Sequence, residues 1–423
     1  MLKITINNRK DVHRFHVRAQ LLQLMLVAGL LFLLPLPVDA KQDPLSISGY
    51  AKNLSLRGRS PFTRNSYLYS MTRLRTEASF SPSESIQIQA QLDTEARLGN
   101  FINTIDYHLA QELAPVDALN LTWQPVDGQD FKLSQNLFRA VASFVNGNFE
   151  MRLGRQRIAW GTGFIWNPTD QLNPTDPLSF EREEKQGVDA LFSSLAIGDF
   201  SGIEMAFAPG PDFEHPSLAL RLRSKMAQFD FSVLGGSFQK RIVTFSPLDL
   251  IINPTGFQAG ERYYRHFIVG ADFAGYLGGA GFRGEFSFTK NQENDDDFLQ
   301  AVLNLDYNFP GDYYVMAEFY STGEAANYSF GAGSVDVEGQ STGNSTRRYL
   351  AASMSKNVTP LLRFDLYAIV NLTDRSRLFG PGLAFSISDN IDFAFSSYLL
   401  GGDAGTELGS LESTLFLSLQ YYY

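Results

Sequence analysis

No cysteine occurs among the 423 residues, which excludes a disulfide framework and any thiolate metal site. Histidine is scarce. His13 and His16 fall in the N-terminal segment, while His108, His215 and His266 stand alone, without His-x-x-His or His-Glu-x-x-His spacing. The residues therefore show no metal-binding pattern. Gly-x-Ser-x-Gly and phosphate-cradling glycine loops are also missing, so no catalytic residue and no cofactor is expected, and the chain does not read as an enzyme. Beyond Leu34 no run of 18 apolar residues occurs, so no helix is expected to cross a bilayer. A formal charge of −10 argues against a nucleic-acid partner.

What is present begins at the N-terminus. Lys3, Arg9, Lys10, Arg14 and Arg18 precede the stretch Leu21–Leu34, which is apolar apart from Gln23. Pro35 and Pro37 end it, and Val38-Asp39-Ala40 places small residues at −3 and −1 of a cut. A basic start, a short apolar middle and a small-residue site make 1–40 a secretory signal peptide, cleaved near Ala40. The apolar run is too short for a spanning helix, which needs about 20 residues. The segment holds five basic and two acidic residues, so cleavage takes the formal charge from −10 to −13.

Residues 41–423 carry a period of two. Ile86, Ile88, Ala90, Leu92, Thr94, Ala96 and Leu98 alternate with Gln87, Gln89, Gln91, Asp93, Glu95 and Arg97. Such alternation gives a strand one apolar and one wet face, whereas a helix would smear both sets around its surface. Similar segments fall at 46–57, 65–80, 86–98, 134–146, 148–160, 187–197, 201–209, 216–226, 228–240, 261–276, 281–290, 297–309, 313–322, 346–357, 361–371, 379–387, 391–400 and 411–423. Most have the length, about 9–11 residues, that a tilted strand needs to cross a bilayer.

Short turns such as Gly147-Asn148, Gly198-Asp199 and Pro310-Gly311-Asp312 follow the even segments. Long connections follow odd ones, at 99–133, 161–186, 241–260, 323–345 and 401–410. The expected fold is all-β: one closed antiparallel transmembrane β-barrel of about 18 strands (16–18), with short periplasmic turns and long outer loops. A soluble sandwich or solenoid also alternates. The leader, the turn and loop asymmetry and the charges on the polar faces favour the barrel, whose closure pairs every backbone group in lipid.

The chain ends Leu415-Phe416-Leu417-Ser418-Leu419-Gln420-Tyr421-Tyr422-Tyr423. This resembles the last-strand signal of bacterial outer-membrane barrels, which implies that Tyr421 and Tyr423 are read by the barrel-assembly machinery. Leu153-Gly154-Arg155-Gln156-Arg157, with Trp160-Gly161 beyond, is similar to a strand of porin-like families that include alginate-export-type channels. These resemblances imply a Gram-negative outer membrane, with its lipid and lipopolysaccharide as neighbours and small solutes as cargo. They also leave a homotrimer open, since many porins form one. An exopolysaccharide exporter and a non-conducting structural or adhesive barrel remain as alternatives.

Charges on the wet faces must point inward, because Arg at the midplane of a lipid-facing strand costs about 2–4 kcal/mol. Candidate lumen residues are Arg73, Arg75, Glu77, Asp93, Glu95 and Arg97, then Glu150 and Arg152. A bulge at Gly154 would add Arg155 and Arg157. Both signs are present, so ion preference does not follow. The loop after the fifth segment repeats Asn-Pro-Thr-Asp at Asn167–Asp170 and Asn173–Asp176, a pattern of stacked Asx-type turns. In classical porins one long loop folds into the lumen, and the resemblance to porin-like families implies that this loop, with Asn167, Asp170, Asn173 and Asp176, is the candidate constriction loop, with an ordered outer lid as the other expectation.

Overall fold

The fold comes from a computed structural model that describes residues 45–174, 177–179, 181, 185–245, 259–292, 297–323, 334–337 and 346–423. The leader segment and Asp176 lie outside the described residues.

In chain order the strands are β1 (Leu45–Arg59), β2 (Ser66–Ser83), β3 (Ile86–Leu98), β4 (Thr122–Asp127), β5 (Phe131–Asn146), β6 (Phe149–Gln156) and β7 (Val188–Ile197). They continue with β8 (Ser201–Ala208), β9 (Ser217–Met226), β10 (Phe229–Phe245), β11 (Gly260–Leu277), β12 (Ala280–Asn291), β13 (Phe298–Phe309) and β14 (Tyr313–Thr322). The last are β15 (Ser334–Val337), β16 (Arg347–Thr359), β17 (Leu362–Asn371), β18 (Arg377–Ser388), β19 (Ile391–Gly401) and β20 (Thr414–Tyr422). Eighteen of them form a closed antiparallel ring, from which β4 and β15 are excluded. Closure comes from β1, which pairs β2 on one side and β20 on the other. Each of the eighteen predicted segments overlaps one ring strand in the expected order.

Periodicity maps onto the two faces of the wall. On β20, Leu415, Leu417 and Leu419 are exposed while Phe416 between them is buried. On β9, Leu218, Leu220 and Leu222 are likewise exposed. Outward leucines with no protein partner are what a wall bathed in hydrocarbon requires. Tyr421 on β20 lies opposite Ala51, and Tyr423 follows one residue beyond the strand. Tyr423 exchanges backbone hydrogen bonds with Gly49 at 3.0 and 3.1 Å, and its hydroxyl donates to the Arg75 carbonyl at 3.0 Å. The terminal aromatic thus lies over the closing seam.

The fifth predicted segment ends early, at Gln156 rather than 160. Gly154 has φ +120°, and a Cβ there would stand 2.2 Å from the Ala140 carbonyl oxygen. The register on β5 and β7 nevertheless runs through Gly154 without a shift, so the expected bulge does not form there, and two residues further on the chain leaves the wall. An earlier segment fills the slot: β4 pairs β5, Leu137 N–H donates to the Leu121 carbonyl, and Leu119 N–H donates to Asp189 on β7 at 2.9 Å. Arg155, expected in the lumen, is instead sealed here at 2 % exposure. It donates to Asp189 at 2.9 Å and to the Leu119 carbonyl at 2.6 Å, and lies 3.4 Å from Asp117. The seam between this filler and β7 is closed by side chains where other seams have a backbone ladder. Helix α1 (Ile105–Glu112), capped by Thr104, precedes the filler within the first long loop.

Candidate functional site

After Gln156 the chain turns into the barrel. Ile158 and Trp160 join a buried cluster with Phe192, Leu234, Phe238 and Ile268 of the inner wall. Gly161 follows with φ +96°, where a Cβ would stand 2.7 Å from a Glu285 carboxylate oxygen. The glycine of the Trp160-Gly161 pair is therefore what lets the backbone reach that carboxylate.

Two wall carboxylates then hold the loop. Glu285 of β12 accepts the N–H groups of Thr162 (2.5 Å), Gly163 (2.6 Å) and Thr169 (3.2 Å), and the Thr169 hydroxyl at 2.8 Å. Glu318 of β14, at 0 % exposure, accepts the N–H groups of Phe164 (2.7 Å), Ile165 (3.0 Å) and Trp166 (2.8 Å), and the Asn304 amide at 3.1 Å. Each carboxylate is matched by convergent donors, which is how a charge survives burial. The Trp166 ring stacks on Tyr320 at 5.2 Å and 16°.

The loop continues around the inner wall. Tyr367 of β17 donates to the Pro177 carbonyl and Tyr398 of β19 to the Ser179 carbonyl, both at 3.4 Å. Glu181 then meets Lys52 of β1 at 2.8 Å and Arg73 of β2 at 3.1 Å. Lys185 ties the return limb to the start, donating to Asp170 at 3.1 Å and to the Asn173 carbonyl at 2.9 Å. The first Asn-Pro-Thr-Asp turn and Asn173 form this tie: Asp170 accepts the Asn173 N–H at 3.0 Å, the Asn167 carbonyl accepts the Asp170 N–H at 3.0 Å, and Asn173 accepts the Ile158 N–H at 2.8 Å.

Opposite the anchors, the predicted charges of β2 and β3 pair across the seam. Arg75 makes two hydrogen bonds of 2.6 Å to Asp93, and its guanidinium lies 3.9 Å over the Phe138 ring. Phe138 is the extra residue of a bulge in β5 opposite Gln91 and Leu92. Arg73 donates to Glu95 at 2.7 Å, Arg97 bridges Glu95, and Arg97 also reaches the Ser134 hydroxyl at 3.1 Å. Glu77 is half-buried on the same face. Glu150 and Arg152 pair at 3.4 Å further round, with Arg152 4.2 Å over Phe192. Arg157 is exposed beyond the end of β6, apart from these pairs. The β1–β3 wall and the loop thus gather Lys52, Arg73, Arg75 and Arg97 against Asp93, Glu95 and Glu181. Among the described residues, no group of three or more His, Asp or Glu side chains is arranged to hold a metal ion.

Sequence periodicity places Glu285 and Glu318 on the wet face. It carries no sign that their partners are backbone groups more than 110 residues earlier.

Burial pushes the Asp170 carboxyl up to about 7, against the pull of Lys185 and the Asn173 N–H, and Glu285 adds to the rise. With the seated value above the ordinary 3.8, seating takes up a proton. Its contribution is complete below 3.8 and is lost as pH climbs through about 7. Protease cleavage of the loop in the folded barrel should therefore be slower at pH 5 than at pH 8, and D170N should reduce that difference. An unchanged pH response in D170N would sink this assignment.

No protein-family model matches the chain, and no curated protein does. Solved structures of similar shape include the outer membrane protein OpdK of Pseudomonas aeruginosa, at TM-score 0.53 and 8 % identity over 89 % of this chain and 99 % of that one. OpdK determined with vanillate matches at 0.53 and 9 % identity over 89 % and 98 %. OccAB2 of Acinetobacter baumannii matches at 0.52 and 10 % identity over 90 % and 98 %. At such identities the likeness establishes a shared fold: a closed all-β barrel whose solved neighbours OpdK and OccAB2 span nearly the same length.

Proposed function

We propose that the chain is an outer-membrane, porin-like channel for passive passage of small hydrophilic solutes. The observation that carries this is the loop pinned against the inner wall by Glu285 and Glu318. A segment held on the inner face of a wet barrel narrows it, and paired charges on the facing wall supply a polar lining. The exposed apolar outer surface supports placement in a membrane, and the OpdK and OccAB2 barrels give the fold a precedent. An exopolysaccharide chain needs an unobstructed bore, so the inward loop favours small solutes over export.

Purified, refolded barrel in planar bilayers tests this. Discrete, steady conductance steps are expected. A protein that is heat-modifiable on a detergent gel, hence folded, yet electrically silent would overturn the proposal in favour of a structural or adhesive barrel. Solute-block titrations then identify the class of permeant.

A further inference from the structure

One outer connection packs against the inner wall instead of projecting from the barrel. Between β19 and β20, residues 402–413 make a compact turn, in which Thr406 N–H donates to the Asp403 carbonyl at 3.1 Å and Ser410 N–H to the Thr406 carbonyl at 3.0 Å. Its centre is fastened on two sides. Glu407 N–H donates to Asp374 at 2.8 Å and Leu408 N–H to the Ser376 hydroxyl at 3.2 Å, both in the connection before β18. The Glu407 carboxylate accepts the Tyr349 hydroxyl of β16 and the Asn371 amide of β17, each at 2.7 Å on the same oxygen. Leu408, at 3 % exposure, joins a buried cluster that also holds Ile165 of the pinned loop, Met316, Tyr320 and Tyr349.

Tyr349 serves both segments. Its ring lies 5.5 Å from that of Trp166 and 5.8 Å from that of Tyr320, on which Trp166 stacks. At the far end of the same side chain, its hydroxyl donates to Glu407. A buried hydroxyl is costly without an acceptor, so the acceptor fixes where the ring stands. Without Glu407 the ring must tilt to find another partner, and the surface against which Trp166 rests moves with it. Trp166 N–H is one of the three loop donors to Glu318, so a shift there loosens the hold on the loop. Packed rings and hydrogen bonds of this kind carry coupling between distant segments. We infer that Glu407 is a positioning residue for the passage: from the outer connection it fixes Tyr349, and through that ring it fixes Trp166 and the opening that the pinned loop leaves. The last step rests on the channel reading, while the first two rest on the geometry.

The chain has three tryptophans, so W123F/W160F leaves Trp166 as the sole reporter. In that background, with folding established by heat-modifiable migration, emission and acrylamide quenching are read for E407A, E407Q and E412A. E407A should shift the emission to the red and raise quenching severalfold. E407Q, whose carbonyl oxygen still accepts both donors, should keep the parent values. E412A should keep them too, since Glu412 belongs to the same connection but pairs with Arg64. In the otherwise unaltered chain, planar-bilayer recordings should show open-channel noise raised severalfold by E407A and unchanged by E407Q and E412A. The bilayer recordings need no tryptophan replacement, so they decide the matter if W123F/W160F fails to fold. Unchanged Trp166 emission in folded E407A overturns the inference, as does an equal response from E412A. Failure of E407Q to restore the parent values overturns the acceptor role given to the carboxylate. Altered emission with unaltered conductance overturns control of the passage. A silent wild-type barrel overturns the channel proposal instead, and the fluorescence still decides whether Glu407 positions Trp166.

Discussion

The double variant E285Q/E318Q should form channels of clearly larger and noisier conductance than the wild type, while still folding as a heat-modifiable barrel. Glutamine keeps the size of the side chain but removes the charge, and its NH2 group faces donors where only acceptors fit. Glu318 accepts three loop N–H groups and Glu285 accepts three more with a hydroxyl. Hydrogen bonds to charged groups contribute about 1.5–3 kcal/mol each. A net loss of only about 3 kcal/mol raises the released population of the loop roughly a hundredfold. The aromatic stack of Trp166 on Tyr320 and Tyr349 opposes release, so the single variants should be milder than the pair. Single-channel recording of the four proteins checks this, and identical conductance in all of them would show that the carboxylates do not set the width of the passage.

A second large effect concerns the wall itself. Asp93→Ala should lower the unfolding free energy by about 3–5 kcal/mol, the usual cost of leaving one member of a buried ion pair uncompensated. Arg75 and Asp93 are both almost fully buried, joined by two short hydrogen bonds, with the guanidinium against Phe138. Removing both charges in R75M/D93L should recover most of the loss, because the desolvation cost of the pair disappears with it. Urea titration of the barrel in lipid vesicles, followed by tryptophan fluorescence, measures both. A D93A variant as stable as the wild type would mean that the pair is solvated in the membrane.

The strand order was legible because side-chain period two is a local property. Ile86–Leu98 declares both of its faces without reference to any partner. Arg73, Arg75, Asp93 and Glu95 were legible as inward charges for the same reason, and β2–β3 adjacency follows from the tight turn between them. The turn chemistry of Asn167–Asp170 and Asn173 likewise marked the loop as ordered. What did not follow was anything set by long-range partners. Glu285 and Glu318 read as two more wet-face carboxylates, since nothing near them in sequence shows which donors they meet. Arg155 read as luminal because parity plus an expected bulge puts it there, but the bulge does not form, and residues 117–127 beside β7 enclose the side chain. The short strand β4 has no clean alternation to declare it: Trp123, Gln124, Pro125 and Val126 fit a turn as well as a strand, and Pro125 marks the edge position it occupies.

That inserted piece bears on how the molecule is made. Almost every seam of the ring joins strands adjacent in the chain, so register can be reached through a series of small loop closures. The exceptions among the described residues are the β1–β20 seam, the parallel pairing of β15 with β10, and residues 117–127, which are synthesised before β5 yet lie between β5 and β7. Their place exists only once the β5–β6 hairpin has formed, β7 has paired with it, and the intervening chain has moved inward. Contacts of that kind carry a larger closure entropy and form slowly. Completion of this sector is therefore a late kinetic event, and until it occurs the nascent barrel has a side opening bounded by Arg155 and Asp189.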